Sequence, residues 1–193
     1  MTETMTAEVQ GIEIRPVITK KAYSAVSSIL NVIALVLVAV ICYSHLCVAL
    51  IPSESMEPTL HVGDRIMYQF ATGEDLTYDD IVLFFPYAEL DHPISNGIEA
   101  LYRSKVKKDT IFIKRVIGLP GDVLEMKDGY VYRNGEKLNP DYIAEPMKTN
   151  GNTYVVPEGQ IFCMGDNRND SYDSRYLGAI PMNNFIGKLC AHF

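Results

Sequence analysis

The sequence predicts a mainly β domain carried behind one apolar helix. A charge-free run fills residues 25–51, "AVSSILNVIALVLVAVICYSHLCVALI". Beyond it lie short runs rich in Val, Ile, Phe and Tyr, separated by turn residues. Helical periodicity is weak across this second part, apart from a short helix expected near 88–95.

The apolar run comes first. A helix needs roughly 20 predominantly apolar residues to cross the hydrocarbon core of a bilayer, and only Asn31 and His45 are strongly polar here. A cleaved signal peptide would have a shorter apolar core and a small-x-small site at its end; "CVALIPS" is a poor one. The expectation is an uncleaved transmembrane anchor over 24–51. Arg15, Lys20 and Lys21 precede it, and the first cation after it is Arg65. Positive residues stay cytoplasmic, so 1–23 reads as a cytoplasmic tail and 52–193 as an extracytoplasmic domain at the plasma membrane, in contact with lipid. The tail balances Glu3, Glu8 and Glu13 against its three cations, so the net charge of −7 belongs to 52–193. Such an acidic domain is no nucleic-acid binder.

The expected strands follow in order: "RIMYQF" (65–70), "DIVLFF" (80–85), "TIFIKRVIGL" (110–119), "DVLEMKDGYVYRNGEKL" (122–138), "TYVV" (153–156) and "QIFCMGD" (160–166). Asp128-Gly129 and Asn134-Gly135 are two-residue hairpin signals, so 122–160 reads as a meander or sub-lobe. Lys105, Lys107 and Lys108 read as a solvated turn. Of the four cysteines, Cys42 and Cys47 fall in the expected anchor. Cys163 and Cys190 lie outside, where a disulfide is permitted but spacing alone does not establish one. No Cys/His spacing suits a metal, and no cofactor or metal is expected.

Three stretches carry candidate chemistry. "PSESMEPTLHVGD" (52–64) holds Ser53 and Ser55 just past the anchor. "TIFIKRVIGLPGD" (110–122) interrupts a β run with two cations. Neighbours in a strand face opposite ways, so a strand covered on both faces must bury at least one. An edge strand would leave Lys114 and Arg115 in water, and the pattern alone does not choose. A buried lysine has a lowered pKa and can act as a general base. "GDNRNDSYDSRYLG" (165–178) crowds Asp166, Arg168, Asp170, Asp173 and Arg175 around Ser171 and Ser174. Alone it would read as a salt-bridged turn. His61 is nearest Ser55 in sequence, but no acidic residue is evidently placed to orient it.

Taken in order behind one anchor, "PSESMEPTL", "FIKRVIGLPGD" and "GDNRNDSYDSR" resemble the blocks of the bacterial type I signal peptidases, from about Ile51 to Pro181. The resemblance is to the compact form common in Gram-positive bacteria. It implies a β-rich catalytic core shared with the self-cleaving repressors of the SOS response, working as a monomer. It implies Ser55 as nucleophile, Lys114 as general base, and Ser53 with the Ser55 N–H as oxyanion hole. By the same resemblance Ser171 orients the lysine, Asp173 and Arg175 pair to hold the loop, and Met56 packs against the base. The implied substrates are signal peptides of exported preproteins, cut after a small-x-small pattern and bound extended along Ile51, Pro52, Leu60, Phe112 and Ile113. Two rivals differ from this: a self-cleaving repressor, which would carry a DNA-binding module rather than an anchor, and an inactive membrane-bound assembly protein on the same fold.

Overall fold

The structure, a computed structural model, describes residues 20–87, 90, 92–94, 97–104, 110–148 and 151–193. Residues 105, 107 and 108, expected as a solvated turn, lie outside them. The chain divides into two compact units, Met1–Val40 and Ile41–Phe193.

Helix α1 spans Lys20–His45. Val26, Ile29, Leu30, Val32, Ile33 and Leu35 are all exposed on it. Among the described residues no helix is long and apolar enough to cross a membrane. The segment expected as one anchor, 24–51, is also not one element. Its end, Leu46–Leu50, is strand β1, paired antiparallel with β2, Arg65–Phe70. The reason is alternation: Cys47 and Ala49 pack against the core, while Val48 and Leu50 point outward at 63% and 64% exposure. That is a strand's period of two, hidden in the sequence because both faces are apolar. Cys47 thus belongs to the β domain.

The remaining strands are β3 (Ile81–Phe84), β4 (Phe112–Gly118), β5 (Val123–Lys127), β6 (Tyr130–Arg133), β7 (Glu136–Lys137), β8 (Thr153–Val155), β9 (Gln160–Met164), β10 (Ile180–Pro181) and β11 (Phe185–His192). They form a seven-stranded sheet, ordered β1-β2-β11-β3-β4-β9-β10, and a four-stranded sheet, β7-β6-β5-β8. All pairings are antiparallel. The small sheet is the expected meander, and its hairpins turn at Asp128-Gly129 and Asn134-Gly135. All four of these residues have positive φ, as a type I′ turn requires.

Strand β11 was not foreseen. Gly187 and Lys188 break its pattern, yet it runs between β2 and β3. The glycine is needed there, because a Cβ at 187 would collide with the Gln69 carbonyl on β2. A short helix, α2, forms at Gly97–Tyr102; of the stretch near 88–95 expected to be helical, residues 88, 89, 91 and 95 lie outside the described residues, and 90 and 92–94 are not helical. Pro93 lies inside the expected stretch and would remove a helical N–H.

Three apolar clusters hold the domain. Ile51, Met56, Leu60, Ile66, Phe85 and Ile113 lie in the first. Val82, Phe84, Val116, Ile161 and Phe185 lie in the second. The third joins Ile117, Phe162 and Met164 from the large sheet to Leu124, Met126 and Val131 from the small one. Each such side chain contributes about 1.5–3 kcal/mol on burial. Strand β4 has β3 on one side and β9 on the other, so it is interior. This settles the choice left open between an edge and a covered strand: Lys114 and Arg115 are both buried, at 4% and 8% exposure.

Candidate active site

The site forms where three segments meet. After β1 the chain turns through a short 3-10 helix, Glu54–Met56. Ile51 and Leu60 are buried on either side of it, and Gly63 N donates to Ile51 O at 2.9 Å to close the turn. Met56 is fully buried in the same cluster as Ile113, and this points Ser55 inward at 8% exposure. Ser53 stays exposed, with its Oγ 3.4 Å from Ser55 Oγ.

Strand β4 supplies the partner. Lys114 Nζ donates to Ser55 Oγ at 2.7 Å and to Ile113 O at 2.8 Å. It sits 5.4 Å from the centre of the Phe112 ring. Burial pulls the lysine pKa down from 10.5 to about 8, against the opposing pull of Asp173 and the weaker ones of Cys163 and Asp166.

The loop from Gly165 to Arg175 closes the site. A Cβ on Gly165 would collide with Ser171 Oγ and Ser55 O, so only glycine lets the loop lie this close. Asp173 accepts from Gly165 N at 3.0 Å and from Ser171 Oγ at 2.8 Å. It also forms a two-pronged pair with Arg175, Nε–Oδ1 at 2.9 Å and a terminal nitrogen to Oδ2 at 2.8 Å. It accepts from Arg175 N too, capping the short helix α3, Ser174–Leu177. Asn167 N donates to Ser55 O at 3.1 Å and Asn167 Nδ2 to Glu54 O at 3.3 Å. The loop therefore grips the backbone of the serine turn directly.

The structure thus gathers Ser53, Ser55, Met56, Lys114, Ser171, Asp173 and Arg175. Two expectations meet a different geometry. Ser171 gives its hydroxyl hydrogen to Asp173, while Lys114 donates to Ser55 and Ile113. Ile51, Leu60 and Ile113 are core residues at 2%, 0% and 7% exposure, leaving exposed Pro52 and half-buried Phe112 as surface. His61 does have an acidic neighbour, Asp64, 3.9 Å from Nδ1, but its side chain is 63% exposed. Cys163 is buried and free, and Cys190 is exposed and free, so they form no disulfide. Among the described residues no cluster could hold a metal.

Sequence reasoning missed a second ion pair. Arg115 Nε donates to Asp166 Oδ1 at 2.8 Å and a terminal nitrogen to Oδ2 at 2.5 Å. Thr59 Oγ1 donates to Asp166 Oδ2 at 2.5 Å. The available signal was that Arg115 must face away from Lys114 and needs an acid on that face.

A buried hydroxyl on a buried lysine of lowered pKa, with a second hydroxyl beside it, can carry out acyl transfer. The class is that of the serine endopeptidases. A family described as signal peptidase, peptidase S26, matches residues 24–193, and the chain belongs to it. It is 41% identical over 143 residues to a probable signal peptidase I-1 of Synechocystis, covering 74% of this chain and 68% of that one. It is 38% identical over 144 residues to thylakoidal processing peptidase 1 of Arabidopsis thaliana, covering 72% of this chain and 39% of that one. The matched region thus spans about two thirds or less of these relatives. A solved signal peptidase I of Enterococcus faecalis is 29% identical, with a TM-score of 0.46, and covers 60% of this chain and 97% of that one.

Proposed function

We propose that the chain removes N-terminal signal peptides from exported preproteins, with Ser55 as nucleophile and Lys114 as general base. The observation that carries this is the 2.7 Å contact between Lys114 Nζ and Ser55 Oγ in a buried setting. With Lys114 charged, Nζ donates to the hydroxyl. Once it loses a proton the same contact reverses, and the amine accepts the Ser55 hydrogen as the oxygen attacks the scissile carbonyl. The resulting oxyanion is met by the Ser55 N–H and the Ser53 hydroxyl. The Lys114 ammonium then protonates the leaving amine. Water, deprotonated by the same amine, releases the acyl group from Ser55.

The supporting residues keep this geometry. Asp173 and Arg175 hold the loop whose Asn167 grips Ser55 O. Ser171 completes the Asp173 shell, and Met56 fills the wall beneath Ser55. An extended peptide lies between Pro52 and Phe112, adding a strand. Buried Ile51, Leu60 and Ile113 support this surface from below. The helical part of the charge-free run, which ends at His45, anchors the chain in the plasma membrane, with residues 1–23 cytoplasmic and the β domain, which takes in Leu46–Leu50, outside. The chain acts as a monomer. The test uses the full chain in detergent with a preprotein ending its leader in Ala-x-Ala, and mass spectrometry locates the cut. Cleavage after the second Ala by wild type and His61→Ala, but not by Ser55→Ala or Lys114→Ala, is expected. Activity in either dyad variant overturns the assignment.

A further inference from the structure

The loop between β7 and β8 leaves the small sheet and lies against the Gly165–Arg175 loop. Asn169 is its main catch: Nδ2 donates to Glu145 Oε1 at 2.6 Å and to Pro146 O at 3.1 Å, and Oδ1 accepts from Lys148 N at 2.8 Å. Met147, at 3% exposure, fastens the same stretch into the third apolar cluster.

A few residues before that catch, Tyr142 reaches the back of the dyad strand. Its ring centre is 3.8 Å from the Arg115 guanidinium carbon and 6.0 Å from that of Arg168. Its hydroxyl donates to Asp79 Oδ1 at 2.8 Å. Asp79 has φ +67°, a left-handed conformation uncommon outside glycine but one that Asp tolerates better than most residues. Arg115 holds its carbonyl at 2.9 Å. Burial, and then the Asp79 bond, push the Tyr142 pKa well above the ordinary tyrosine value, so the ring is a neutral, close-fitting cover.

What it covers is a closed circuit. Lys114 contacts Ser55. Its chain neighbour Arg115 is paired with Asp166, whose own neighbour Asn167 holds the Ser55 carbonyl. The spacing of nucleophile and base is therefore set partly through the Arg115–Asp166 pair, whose side chains are 9% and 0% exposed. An ion pair opened to water loses strength and becomes sensitive to salt. Misplacement of reacting groups by about 1 Å can cost about a hundredfold in rate.

We propose that Tyr142, delivered by the small sheet, is a positioning residue for the Ser55–Lys114 dyad: it keeps water off the Arg115–Asp166 pair that fixes the serine turn to strand β4. This rests on the proposed Ser/Lys function, which wild type and Ser55→Ala establish or refute independently in the same assay. The full chain in detergent is compared as wild type, Tyr142→Phe, Tyr142→Leu and Tyr142→Ala. Active sites are titrated with an acylating inhibitor, so that kcat is counted per competent site. Tyr142→Phe keeps the ring face and is expected to retain most of kcat. Tyr142→Leu and Tyr142→Ala are expected to lower kcat per site by about tenfold or more with KM unchanged. That loss should deepen as salt is raised toward about 1 M, where the screening length is about 3 Å, while wild type and Tyr142→Phe stay flat. Wild-type kcat per site in either Leu or Ala, or an equal salt response in all four proteins, overturns the proposal. So does a failure of both Leu and Ala to fold while Phe folds, which would assign Tyr142 to stability alone.

Discussion

On one face of strand β4, Lys114 is 4% exposed, and its two hydrogen bonds go to the uncharged Ser55 Oγ and Ile113 O. On the other face, one residue along, Arg115 is 8% exposed and meets Asp166 in a two-pronged pair, with further bonds to Asp79 O and Thr59. Both cations are stripped of water, and their pKa values move in opposite directions. Burial pulls Lys114 down to about 8. For Arg115 burial pulls the same way, but the bond and charge of Asp166 outweigh it and the pKa rises. Burial alone does not make a base. Burial without a bonded counter-ion does, and the strand keeps the two outcomes apart by pointing them to opposite sides.

The largest effects test the unpaired face. Ser55→Ala and Lys114→Ala should each lower kcat/KM by about 10⁴-fold or more, because dyad members act as a unit. The double variant should be hardly worse than either single one. Additive losses, measured as cleavage of a signal-peptide substrate, would break the unit.

The paired face should answer in stability. Arg115→Met leaves Asp166 buried at 0% side-chain exposure without its partner, at a cost of about 3–5 kcal/mol. Thermal unfolding of the full chain in one detergent reads it. An unchanged midpoint would mean the pair is replaceable, and the contrast between the faces would weaken.

Much of the strand layout was legible before the fold was known, and the reason is local. Six of the expected β runs fall on strands because Val, Ile, Phe and Tyr are concentrated there, and Asp128-Gly129 and Asn134-Gly135 punctuate them. The family resemblance that the three blocks carry names Ser55 and Lys114 together, though 59 residues separate them. Strand β1 was hidden because an apolar strand with one outward apolar face reads like the end of an apolar helix. Strand β11 was hidden because Gly187 answers to the Gln69 carbonyl, a neighbour more than a hundred residues away. The partner of Arg115 and the reach of Tyr142 stayed hidden because Asp166 and Tyr142 lie in loops distant along the chain, although the facing of Arg115 away from Lys114 did call for an acid.

Ser53 sharpens the picture at the front of the site. Its Oγ stands 3.4 Å from Ser55 Oγ, beside the place where the proposed mechanism puts the oxyanion. Ser53→Ala should lower kcat by about 10²–10³-fold, or about 2.7–4 kcal/mol, with KM unchanged. A rise in KM at constant kcat would place Ser53 in substrate binding instead.

The smallest effect is the most discriminating between the two faces, because its sign is reversed. The gap between 10.5 and about 8 for Lys114 is worth about 3 kcal/mol, and here it weakens the fold. Below about 8 the lysine is charged in both the folded and unfolded chains, so the folded state carries the full penalty. Between about 8 and 10.5 the unfolded chain binds more protons, and stability rises with pH across that window. Above 10.5 the penalty is gone. Lys114→Met removes it, and also removes two hydrogen bonds worth about 1 kcal/mol each. The variant should therefore be about 1 kcal/mol more stable than wild type at pH 7, where Arg115→Met is less stable, and its advantage should fade as pH rises through the window. In the wild type, kcat/KM should climb with pH to a half-maximum near 8, since only the neutral amine can accept the Ser55 proton. A Lys114→Met protein less stable than wild type at pH 7 would mean that the ammonium is held by its surroundings after all, and the two faces of β4 would then differ only in geometry.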